Sequence, residues 1–61
     1  MRNNTVKGLL LDSANALRNG RAALALRLAQ IAASIAEGDR DMPEVRKIKI
    51  RDAVAAVAMV A

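Results

Sequence analysis

The sequence contains no Phe, Trp or Tyr, no Cys and no His in 61 residues. Each gap removes a class of chemistry. Without His or Cys there is no Cys–His pair, no Ser–His–Asp triad and no imidazole or thiolate metal site, and copies of the same chain cannot supply one. Without aromatic rings there is no platform for stacking bases, which sets aside RNA-stacking modules. An interfacial anchor for a helix lying on a membrane is missing too, so that reading of the chain is disfavoured. The lack of Cys suits a reducing compartment, and a cytoplasmic location is expected.

Other scarcities narrow the field further. The hydroxyls are Thr5, Ser13 and Ser34, and none lies in a G-x-S-x-G elbow or an S-x-x-K motif. Glycines 8, 20 and 38 are too far apart to cradle a phosphate. No enzymatic activity, cofactor or metal is therefore expected. Long apolar runs are missing as well: Arg27 and Gln30 interrupt the best candidate and residues 54–61 are too few, so no spanning helix is expected. The run at 9–11 is too short for a secretory h-region, so no targeting peptide is expected.

Sixty-one residues make one domain, 1–61, with a small core. Domains of this size bury about 60% of the surface exposed by the unfolded chain and are marginal alone. Neither rings nor disulfides compensate here, and Ala adds little area per residue. An oligomer is therefore expected, most simply a two-fold dimer.

What is present is helical periodicity. Residues 21–37 read as a helix apolar around most of its circumference. Steps of 100° place Leu24, Leu28, Ile31 and Ile35 in one stripe, which the pattern assigns as the main core seam. Ala22, Ala25, Ala29, Ala32, Ala33 and Ala36, with Leu26, form an adjoining small-residue flank suited to close packing of another helix. Arg27, Gln30, Ser34 and Glu37, with Ala23 among them, share a polar sector only about 80° wide. A helix of this kind needs neighbours on two sides.

Residues 3–5 offer three N-cap types before a first amphipathic helix near 4–18. Val6, Leu9, Leu10, Ser13, Ala14, Ala16 and Leu17 form its apolar side, and Leu11 stands off it as a candidate contact to a second chain. A short strand at 5–11 is the alternative. Asn19-Gly20 reads as a helix stop, although Leu10, Leu17, Leu24 and Ile31 recur every seven residues across it, as one continuous helix would require. The break is favoured because Asn and Gly are both poor interior helix residues. The second helix is placed at 21–37.

Residues 37–44 form the clearest loop. Gly38 ends the central helix, Pro43 suits the first turn of the next, and Asp41 with Glu44 has capping-box spacing. These acids lack the calcium-loop pattern and carry Arg40 among them, so capping and solvation explain them. A third helix is placed at 43–60, with Val45, Ile48, Ala55 and Met59 on one side and Ile50, Val54 and Val57 on nearly the opposite one. Alternation at 45–51 leaves a short strand before a terminal helix as the rival.

The expected class is thus all-α: a helical hairpin plus a third helix, able to form an intermolecular bundle. The expected function is non-enzymatic assembly through homo-oligomerisation, with Leu11, Ala22, Ala25, Ala29, Ala33, Ile50, Val54 and Val57 as interface candidates. The alternative begins from net charge, +4 from ten Lys/Arg against six Asp/Glu. Arg46, Lys47, Lys49 and Arg51 lie in one acid-free window and would give salt-dependent phosphate contact in a small nucleic-acid-binding regulator, joined by Lys7, Arg18 and Arg21; an acidic protein partner would use the same charge. On a helix these cations spread over about half the circumference, which equally describes the solvated start of a buried helix. Helix-turn-helix spacing around Gly20 matches only in part, since Asn15 and Arg21 occupy apolar positions of that motif. A ribbon-helix-helix dimer would take 5–11 as its strand and leave a first helix of about two turns.

Overall fold

A computed structural model describes residues 2–60, with the side chains of 2–4 outside the described set. It contains three α-helices, α1 (Arg2–Arg18), α2 (Ala22–Gly38) and α3 (Glu44–Val60), and no strand among the described residues. Both strand alternatives, at 5–11 and at 45–51, are therefore replaced by helix. No helix is long and apolar enough to cross a membrane.

The chain breaks between α1 and α2 for a local reason. Gly20 has φ 77°, in the left-handed region where a side chain is strained. The Gly20 N–H donates to Leu17 O at 3.1 Å and the Arg21 N–H to Ala16 O at 2.8 Å. These two bonds make a Schellman cap, which satisfies the last carbonyls of α1 and reverses the chain. The continuous heptad helix is excluded by this turn.

The other boundaries depart from simple capping rules. Residues 3–5 lie inside the first turn of α1 rather than ahead of it. At the second connection α2 ends on Gly38, and Asp39 caps it through its N–H to Ala36 O at 3.1 Å. The Asp41 N–H donates to Asp39 Oδ1 at 3.0 Å, an Asx turn that explains how Asp39 is buried. Because α3 starts at Glu44, Pro43 is the residue that precedes it and its carbonyl accepts the Lys47 N–H at 3.2 Å. Asp41 thus lies too far upstream to be the N-cap, and the expected capping box gives way to the Asx turn.

α2 lies in the middle, packed on α1 and on α3. Its inward face is made of the smallest side chain available: Ala25, Ala29 and Ala32 are fully buried and Ala36 is 1% exposed. Leu24 and Ile31, expected at the centre of the core seam, are 42% and 44% exposed, while Leu28 and Ile35 are half-buried at the margin. The reason is close approach. Ser13 Oγ of α1 donates to the main-chain carbonyl of Ala25 at 2.6 Å, a reach for a short side chain that bulky residues between the helices would prevent. The larger part of the core gathers at one end, where Val6, Met42 and Ile50 close on Ala32 and Ala36, with Leu9, Leu10, Ala33 and Ile35 packed around them.

The assignment of faces is testable by overpacking. Ala32→Leu is expected to destabilise the fold by about 1–3 kcal/mol, whereas Ile31→Ala, one residue away and facing outward, should stay within about 0.5 kcal/mol. Thermal and urea denaturation at low protein concentration measure both, and the reverse order would contradict the placement.

Candidate functional site

The interface candidates fall into three groups. Leu11 is 58% exposed on the outer side of α1. Ala22, Ala33, Val54 and Val57 are half-buried. Ala25 and Ala29 are fully covered, and Ile50 is 4% exposed. These last three are interior residues of a single chain, so the expectation that they meet a second copy is corrected: the close-packed flank of α2 is satisfied by the protein's own α1, and Ile50 by the buried cluster it shares with Val6 and Met42.

The surface that remains uncovered is elsewhere. Of the two apolar sides of α3, the Ile50 side turns inward with half-buried Val54 and Val57, and the opposite side faces out. Val45 is 66% exposed, Ile48 46%, Met59 88% and Val60 63%. Hydrophobicity alone does not rank the two sides.

The basic window is divided by the same geometry. Arg51 Nε donates to Glu37 Oε1 at 2.6 Å, and Arg51 Nη2 lies 3.5 Å from Glu44 Oε1. Lys47 is half-buried and its charge also acts on Glu37. Arg46 and Lys49 are exposed and, at 100° per residue, lie on nearly the opposite side of the helix. The four cations therefore do not form one phosphate-tracking stripe: Arg51 and Lys47 act on Glu37, the carboxylate through which Arg51 joins α3 to α2.

Glu37 is held below the ordinary glutamate range chiefly by its hydrogen bond from Arg51; desolvation opposes this, and the positive charges of Arg51 and Lys47 each add a smaller lowering effect. Arg51 is raised correspondingly by Glu37. Among the described residues no group of three acidic side chains converges on a metal position. Open depressions lie beside Thr5, Ser34, Ile35 and Gly38, and beside Ala23, Leu24 and Arg27. Neither joins a nucleophile to a base.

A carboxylate whose pKa is lowered by folding adds stability above the unfolded value, and that stability is lost as pH falls through the folded one. The contact between α2 and α3 should accordingly loosen under acid. Glu37→Gln is expected to lower Tm slightly at neutral pH, as befits an exposed pair, and to flatten the fall in Tm between neutral pH and pH values below the glutamate range. An unchanged acid-side slope would contradict the pairing.

No protein-family model, curated protein or solved structure matches this chain.

Proposed function

We propose that this protein is a non-enzymatic helical assembly protein that works by associating with copies of itself through its outward apolar surface, chiefly that of α3. The observation that carries the reading is an inversion of size: methyl groups fill the interior along α2 while Leu24, Ile31, Val45, Ile48 and Met59 face outward. Area supports it. The chain exposes 4342 Å² at a mass of 6.5 kDa, whereas a compact monomer of that mass exposes about 3,800 Å². The excess, roughly 500 Å², approaches the ~800 Å² that each partner buries in a standard interface. Exposed apolar surface gathered on one element is what association removes from water.

Sedimentation at micromolar concentration, with and without duplex DNA, tests this. An oligomer that persists from low to high salt is expected. Ile48→Glu combined with Met59→Glu should weaken it roughly a hundredfold, taking about 1.4 kcal/mol per site, while the helical circular dichroism is retained. A folded monomer at these concentrations would overturn the reading. Co-sedimentation with DNA that is lost steeply with salt would favour phosphate contact through Arg46 and Lys49 instead.

A further inference from the structure

The charges of α3 are crowded into one half. Glu44, Arg46, Lys47, Lys49, Arg51 and Asp52 occupy its first nine residues, and none follows from 53 to 60. Its outward stripe nevertheless runs the whole length, from Val45 through Ile48 and Ala55 to Met59, all exposed. At 100° per residue Asp52 is the single charged position within that stripe, with Lys49 at one rim and the Glu44–Arg51 pair at the other. Val45 and Met59 each stand seven residues from Asp52, one on either side.

We propose that this stripe packs against the same stripe of a second copy, with α3 antiparallel to α3 across a two-fold axis near Asp52; the proposal rests on the self-association reading above. Symmetry then brings the Val45 end of one helix to the Met59 end of the other, a self-complementary contact of the kind two-fold dimers make. Charge selects the direction. A parallel pair would set the charged half of each copy, net +2 from four cations and two carboxylates, level with its duplicate, Lys49 beside Lys49, across a helix separation of about 8–10 Å. In the antiparallel pair each cationic half lies along the uncharged half of the other helix, and the two clusters move about 10 Å apart along the axis, a Debye length at moderate salt. The helix dipoles also oppose rather than align. The aliphatic stem of Lys49, which flanks the stripe, can cover Ala56 of the partner subunit while its charge reaches water. The two Asp52 carboxylates face each other near the axis, and Lys49 of the partner subunit, within one helical turn, offsets their repulsion.

Because the chain has no cysteine, an introduced thiol is unique. Val45→Cys and Met59→Cys are prepared separately, oxidised alone and as an equal mixture, and the disulfide-linked species are identified by intact mass. Both positions are exposed, and circular dichroism verifies that the variants fold. Like residues in the antiparallel pair lie about 20 Å apart, far beyond the ~3.5–4.5 Å between Cβ atoms that a disulfide spans. The mixed 45–59 disulfide is therefore expected to exceed the like-with-like products by at least roughly tenfold. Like-with-like products in excess would overturn the antiparallel direction while leaving self-association intact. Sedimentation of the reduced variants separates the remaining outcomes: a dimer without cross-linking places the contact on another surface and overturns this proposal alone, whereas a folded monomer of both variants and of the unsubstituted chain overturns self-association as well.

Discussion

Ala25, Ala29, Ala32 and Ala36 place nothing larger than a methyl group on the buried face of α2. Everything else in the fold follows from how near that lets other elements come. At the turn end, the Ser13 hydroxyl reaches the main chain of α2 and satisfies itself on the Ala25 carbonyl. A buried hydroxyl without such a partner costs about 1–3 kcal/mol, so the bond and the close approach depend on each other. At the opposite end the narrow helix leaves room for Val6, Met42 and Ile50, which supply the volume that alanine lacks.

A core of this kind saves space at the expense of area. Dispersion and burial both scale with the atoms brought together, and four methyl groups contribute little. The larger side chains of α2 and α3 are displaced toward solvent: Leu24 and Ile31 on the one, Val45, Ile48 and Met59 on the other. The ion pair that joins α3 to α2, Arg51 with Glu37, is exposed, with both side chains about half accessible, and pairs of that kind add little stability. Small core, weak ionic fastening and an outward apolar stripe are thus three aspects of one arrangement, and the proposed association with a second copy would answer all three.

Much of the fold was legible in the sequence. The periodicity of 6–17 located the inner face of α1 apart from Ala14, which is exposed, Asn19-Gly20 announced the Schellman stop, and Gly38 with Pro43 bracketed the second connection. Faces were harder. A pattern that ranks residues by hydrophobicity puts Leu24 and Ile31 inside ahead of Ala25 and Ala29, yet close helix packing selects the smaller side chain, and backbone approach leaves no mark on a helical wheel. α3 has two apolar sides of similar strength, so the inward turn of Ile50, Val54 and Val57 depended on contacts with α2 that no local signal encodes. The same holds for the basic window. Spacing distributes Arg46, Lys47, Lys49 and Arg51 around a helix, but that Arg51 belongs to Glu37, fourteen residues earlier, is a tertiary fact. Ser13 as a donor between helices and Met42 as a core residue were likewise invisible to periodicity.

The alanine spine can be examined directly in dilute solution by methyl NMR with a soluble paramagnetic agent. The methyl groups of Ala25, Ala29, Ala32 and Ala36 are expected to resist relaxation, and those of Leu24 and Ile31 to be broadened. Protected Leu24 and Ile31 beside accessible alanine methyls would contradict the fold described here at its foundation.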